Sequence, residues 1–254
     1  MTDADPAQPS LDVLIALRAT GAVRTFADDP VDDGTLHAVL DTARFAPSGG
    51  NRQPWRVAIV RDVAIRRRLA DLMRPVWADY VAAGRSDATP FAFGRGPDAA
   101  TATCGDPSGD PSGDAPVPNA LLDGIERIPV VLAVAADLRS IALMDGILDR
   151  PPITGGASLY PFCWSLLLAA RAHGLGGVMT TFLSRAEPGA VDVLGLPDDH
   201  ALAATIFLGV PEHRPTRLRR RPVETFASLD RFDGPPFHPE IGTDPHAPLG
   251  TVGT

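Results

Sequence analysis

Apolar positions along the chain fall into periodic runs separated by Gly/Pro-rich breaks. Leu11, Leu14, Ile15 and Leu17 recur at helical spacing and predict a first helix that ends at Thr20-Gly21. Leu36, Val39, Leu40 and Ala43 predict a second, capped by Asp32 or Asp33. Leu69, Leu72, Met73 and Val76 predict a third over residues 63–83, which Pro75 should kink or divide. Residues 128–134 form an unbroken apolar, β-branched run that stops at Asp137, the pattern of a buried strand. A short helix is predicted at 139–148. A longer one follows at 157–173, apolar nearly all round, with Ser158 as its cap. Further strands are predicted at 57–60 and 201–208, a strand or extended loop at 178–182, and a short helix at 187–194. Helices separated by well-spaced strands indicate an α+β or α/β fold, a central sheet covered by helices.

One stretch breaks the pattern. Between the second helix and strand 57–60 lies Ala46-Pro47-Ser48-Gly49-Gly50-Asn51-Arg52-Gln53-Pro54-Trp55. A loop of this composition directs its polar groups at something other than a core. Trp55, at its end, is expected to pack beneath the strand. The segment 174–182 is the second such place: Gly174 caps a helix and Thr180-Thr181-Phe182 follows.

A chain of 254 residues can bury one sizeable core. The expected organisation is a disordered lead at 1–10, a single domain at 11–232 and an extended arm at 233–254. Residues 84–119 contain the tandem Asp106-Pro107-Ser108-Gly109 and Asp110-Pro111-Ser112-Gly113 and read as a flexible insertion. A net charge of -8 argues against a general nucleic-acid binder. All 23 basic residues are arginine, which excludes lysine Schiff bases and P-loop lysines. Cys104 and Cys163 lie in unlike surroundings, and neither a disulfide nor a metal-ligand spacing is expected. The acidic N-terminus has no signal-peptide core and no apolar run is long enough for a membrane span, so a cytoplasmic protein is expected. No Gly-x-Gly-x-x-Gly follows a strand, and nothing suggests a Ser-His-Asp hydrolase.

Three blocks, in this order, resemble the flavin-dependent nitroreductase family. The first is Val23-Arg24-Thr25-Phe26 with the loop from Ala46 to Trp55. The second is Ala169-Ala170-Arg171-Ala172-His173-Gly174-Leu175-Gly176. The third is Ile206-Phe207-Leu208-Gly209-Val210-Pro211, followed by Arg217-Leu218-Arg219-Arg220-Arg221-Pro222. The resemblance implies an α+β fold with a central, mostly antiparallel sheet flanked by helices, in an intertwined homodimer with FMN at the subunit interface. It implies NAD(P)H as co-substrate and a nitroaromatic, quinone or similar small-molecule acceptor, in ping-pong order.

It also implies a cofactor set. Pro47, Ser48, Gly49, Asn51 and Gln53 fall where the family contacts the ring edge and ribityl chain. Amide side chains suit that edge because they both donate and accept. Arg24 falls at a basic position near the ring or phosphate. Thr180 and Thr181 fall beside the reactive edge, where a backbone N–H can face N5. Arg217, Arg219 and Arg220 fall in the phosphate region, where arginine can bind bidentately. No catalytic side chain is implied, because the flavin carries the hydride chemistry. Two departures stand out: Thr20-Gly21-Ala22 replaces the usual first-helix arginine, and Trp164-Ser165 replaces Gln-Asn. Two other readings accompany the resemblance: a flavin-sequestering protein with little turnover, and a specialised flavin dehydrogenase of a biosynthetic intermediate.

Overall fold

The computed structural model describes residues 12–85, 117–215 and 218–238. The predicted lead, Leu11, Cys104, Arg217, most of the 84–119 insertion and most of the arm lie outside the described residues. Two units are distinguished, one up to residue 216 and one from 217 onward.

The first unit is built on a four-stranded antiparallel sheet. Its strands are β1 (Trp55–Ile59), β2 (Val130–Asp137), β3 (Gly176–Thr180) and β4 (His200–Gly209), in spatial order β1-β2-β4-β3. The central strand β2 is buried along its whole length and alternates strictly. Val130, Leu132, Val134 and Ala136 enter one core. Val131, Ala133 and Ala135 enter the other. This is the period of two that side chains on a pleated strand must follow. A bulge breaks the register between Val134 and Ala135, which pair with Ala204 and Leu202. The extra residue turns Leu202 to the second core, opposite Ala204.

Helices cover both faces. Against the first core lie α2 (Asp33–Ala43) and α5 (Tyr160–Ala172). Asp32 caps α2 by accepting from the Thr35 amide at 2.8 Å. Against the second lie α3 (Val63–Arg85), α4 (Ala120–Asp123), α6 (Phe182–Arg185) and α7 (Glu187–Leu194). Residues 63–85 form one helix through Pro75, so the proline does not divide it. Arg66 is buried and joins α3 to the chain leading into β2. Its guanidinium donates to the Val60 carbonyl at 2.8 Å, Ile128 at 2.7 Å and Glu126 at 3.2 Å. Burial pulls its pKa down.

Several sequence expectations need correction. The first helix, α1 (Val13–Ala19), buries only Ala16, leaving Leu14, Ile15 and Leu17 exposed. The helix expected at 139–148 is a 3-10 turn at Leu138–Ser140 followed by an irregular loop. That loop is shaped by the buried Asp145 carboxylate, which takes the Ile153 amide at 2.9 Å and the Thr154 amide at 3.2 Å. The long helix begins at Tyr160, after a 3-10 turn at Thr154–Ser158, and Ser158 does not cap it. The segment expected to run extended to Phe182 is a strand only to Thr180, and Phe182 opens α6.

In the second unit a 3-10 turn at Val223–Thr225 precedes a bridge between Ser228 and Pro236. Arg219, Arg220 and Arg221 are exposed, and Arg220 donates to the Arg219 carbonyl at 2.8 Å.

Candidate functional site

The loop after α2 is pinned at both ends and exposed between them. Ala46 is buried at its start. At its end the Pro54 carbonyl accepts from the Asp137 amide at 2.8 Å, and the Trp55 ring stacks on Phe162. Trp55 therefore packs under the strand, as its position implied. Between these anchors Pro47, Gly49, Asn51 and Gln53 are exposed and Ser48 is partly so.

The backbone of this loop is unusual. Gly50 has φ 60°, Asn51 φ 52° and Gln53 φ 49°. Among the described residues only Asp230 is another non-glycine at positive φ. The left-handed region costs an L-residue roughly 1–2 kcal/mol, least for Asn. Such strain persists where the surroundings enforce it, commonly at ligand-binding segments. Here the enforcing contacts are local. The Asn51 amide donates to the Ser48 carbonyl at 2.9 Å and the Gln53 amide to Ser48 Oγ at 3.0 Å. Gln53 Nε2 donates to Asn51 Oδ1 at 3.2 Å. The two amide side chains thus orient one another and stand together on the outer side of the loop.

The second segment is at the other edge of the sheet. Gly174, at φ 79°, ends α5, and the Leu175 amide reaches back to the Ala170 carbonyl at 2.9 Å. The chain then enters β3, an edge strand. The Val23 amide donates to the Gly177 carbonyl at 2.9 Å and the Ala27 amide to Val210 at 2.9 Å. These bonds lay the 23–27 segment, with exposed Arg24, along the β3 side. Arg24 makes no hydrogen bond or ion pair with another described residue.

Pairing decides which groups here are free. Because the Gly177 carbonyl faces away from β4, so do the backbone groups of Met179. Those of Gly176, Val178 and Thr180 face β4. Thr180 pairs with Thr205, and its side chain shares the Val178 face, toward the core under α3, α6 and α7. Its buried hydroxyl has no partner. Thr180 therefore presents neither side chain nor backbone to the open edge. Thr181 is exposed, and its hydroxyl makes no capping bond to α6. Of the two threonines expected at the site, Thr180 faces inward and Thr181 is exposed.

The structure brings Arg24, Thr181 and the end of β3 to one edge, and residues 47–53 to the other. Ala58, Ala133, Thr205 and Thr180 lie in one row across the sheet. Three inter-strand spacings of roughly 4.8 Å separate its edges by about 14 Å. The two groups of one chain do not form a single small site. Arg219 and Arg220 belong to the second unit and Arg217 lies outside the described residues, so their expected role rests on sequence alone.

Other features were not anticipated. Ser158 was read as a helix cap, but its Oγ accepts from the Gly49 amide at 3.1 Å. Arg171, in the last turn of α5, donates to the Ala19 carbonyl at 2.9 Å. Arg214 donates to Gly174 at 2.8 Å and Leu175 at 3.1 Å. Burial, then the nearby Arg171 charge, lowers the pKa of Arg214. Helix α5 thus carries a tie to the polar loop at its start and a cationic tie to α1 at its end. Cys163 is buried in that helix, and burial pushes its thiol up to about 12, so it is no nucleophile. A cavity of about 190 Å³ opens at the Ile59 end of β1, away from the loop, and an Asp33–Arg61 ion pair lies at its lining. No described helix is long and apolar enough to cross a membrane.

Comparisons with known proteins agree with this architecture. The chain is 27% identical over 245 residues to a NADH dehydrogenase of Thermus thermophilus, covering 85% of this chain and 95% of that one. It is 31% identical over 198 residues to a 5,6-dimethylbenzimidazole synthase of Rhodobacter capsulatus, covering 77% and 82%. The fold is like that of the NADPH:FMN oxidoreductase from Vibrio harveyi, with a TM-score of 0.60 at 17% identity over 86% of this chain and 77% of that one. The family model for the nitroreductases matches residues 17–210, and the chain belongs to the nitroreductase family.

Proposed function

We propose that this oxidoreductase is FMN-dependent and passes electrons from NADH or NADPH to a nitroaromatic, quinone or similar small-molecule acceptor. The observation that carries the reading is the strained loop at 48–53. It holds two mutually oriented amide side chains at the surface, on a left-handed backbone braced by Ser48. These groups fit the ring edge of FMN, which needs donors and an acceptor together. Ser48, Gly49 and Pro47 line the same loop. In this reading Thr181, exposed beyond the end of β3, offers a backbone N–H. Arg24 is free to meet negative charge, and Arg171 and Arg214 bring cationic charge to the end of α1, where Thr20-Gly21-Ala22 has none.

When bound, FMN would supply the hydride chemistry, and the loop's side chains would position it. The nicotinamide and the acceptor then use one place in turn, a ping-pong order that requires no acid or base from the protein. The opposite-edge placement supports a site shared between two copies, the loop from one facing Arg24 and Thr181 from the other. A homodimer follows from this reading.

The relatives named 5,6-dimethylbenzimidazole synthase favour a second reading, a dedicated flavin enzyme acting on a biosynthetic intermediate. Absorption spectra of protein mixed with FMN, recorded before and after NADH or NADPH, separate the readings. Bleaching followed by reoxidation with a quinone or nitroaromatic supports the first. Bound flavin inert to both acceptors turns the case to the second, and failure to bind FMN sinks both.

A further inference from the structure

We propose that Ser158 is a positioning residue for the cofactor loop and that Asp145 holds Ser158 in place. The proposal rests on the flavin reading of residues 48–53. Among the described residues, the hydrogen bonds made by Ser48 to Gln53 stay inside the loop, with one exception. The Gly49 amide leaves it and donates to Ser158 Oγ at 3.1 Å, across 109 positions of sequence. That bond ties the first residue of the loop's 3-10 turn to the segment leading into α5.

The serine is not occupied otherwise. A Ser just before an apolar helix ordinarily caps it. Here α5 has no side-chain cap, and Pro161 sits in its first turn, where a missing N–H costs little. The hydroxyl is thus free to face the loop.

What fixes Ser158 is the 3-10 turn it terminates, Thr154–Ser158. The other end of that turn is gathered by Asp145. Its carboxylate accepts from the Ile153 amide at 2.9 Å, the Thr154 amide at 3.2 Å, the Thr154 hydroxyl, and Arg150 Nη1 at 2.6 Å. The Asp145 side chain is 6% exposed. The Ile153 amide and then the Thr154 hydroxyl hold its carboxyl well below the usual carboxylate range, so the acceptor stays charged. The order of support runs from the Asp145 carboxylate to Thr154, along one turn to Ser158, and across to Gly49.

Left-handed backbone at Asn51 and Gln53 is unfavourable for a free loop. A bond that fixes Gly49, two residues before Asn51, therefore shifts the loop toward the conformer that presents both amides. A single hydrogen bond of this kind changes an equilibrium by about three- to tenfold.

The test uses the full-length protein and three variants: Ser158→Ala, Ser158→Thr and Asp145→Asn. FMN affinity is read by quenching of flavin fluorescence. Amide exchange at Gly49 is read by NMR in the flavin-free protein. Ser158→Ala should weaken FMN binding about three- to tenfold and speed exchange of the Gly49 amide. Ser158→Thr, which keeps the hydroxyl, should restore both, and Asp145→Asn should shift both in the Ala direction. Wild-type FMN affinity and Gly49 exchange in Ser158→Ala overturn the proposal and leave the flavin reading intact. Equal losses in the Ala and Thr variants indicate packing alone and also overturn it. Wild-type protein that binds no FMN overturns the proposal together with the reading beneath it.

Discussion

The indole of Trp55 lies flat on the ring of Phe162, with centroids 4.8 Å apart and planes within 7°. This stack joins the first residue of β1 to the buried face of α5, directly behind the polar loop. Phe162 is almost fully buried in the first core. Phe162→Ala removes the stacked partner and leaves a cavity. It should cost about 3–5 kcal/mol, measured by urea unfolding. Phe162→Leu, which refills most of the space, should cost clearly less. Equal losses would show that the aromatic stack, and not the filled volume, is what holds this end of the strand.

Arg66 presents a different kind of core element, a buried cation whose donors are spread over backbone carbonyls. Removing it strands several acceptors at once. Arg66→Ala should lower stability by about 3 kcal/mol. Arg66→Lys should recover little of this, because an ammonium lacks the planar spread that reaches Val60 and Ile128 together. Rescue by lysine in a thermal melt would mean that charge alone is sufficient there.

The loop predicts a conflict between stability and binding. Gln53 sits at φ 49°, where glycine is at ease. Gln53→Gly relieves backbone strain but deletes the amide that bonds Asn51. The flavin-free protein should keep or gain stability, by up to about 1 kcal/mol, while FMN retention on a desalting column falls. Retention equal to wild type would remove Gln53 from the site.

Acid stability should depend on Asp137. Arg139 donates to its carboxylate at 3.0 and 3.1 Å, and this holds the pKa down to about 2, below the ordinary 3.8. A carboxylate depressed in the folded state stabilises fully above its unfolded pKa. That contribution disappears as pH falls from 3.8 through about 2. Asp137→Asn should therefore flatten the loss of stability across this window, followed by circular dichroism. An unchanged profile would place the acid transition elsewhere.

Much of the architecture was legible because it is set by local pattern. The β-branched run at Val130–Val134 allowed little besides a buried strand, and Glu187–Leu194 is helical as its spacing required. Where tertiary contacts override local preference, sequence reading failed. Ser158 has the chemistry of a cap, yet its partner is more than a hundred positions away. Residues 139–148 are apolar enough for a helix, but the buried Asp145 organises them as a loop. The polar loop was identified from composition alone, whereas its left-handed backbone was not, because Asn and Gln carry no obligatory signature of positive φ. Thr180 and Thr181 are indistinguishable as residue types, and only strand register separates the inward one from the outward one.

The opposite-edge placement of the loop and Arg24 has a genetic corollary. A chain altered at Asn51 keeps an intact Arg24 edge, and a chain altered at Arg24 keeps an intact loop. In a dimer with shared sites, each defective chain supplies what the other lacks. Co-expression of Asn51→Ala and Arg24→Ala should then restore flavin to one site in each mixed pair, although neither homodimer retains it. Two alleles that fail alone would complement each other, and differently tagged copies purified together would be yellow. Colourless mixed pairs would show that both edges of a single chain serve the same flavin.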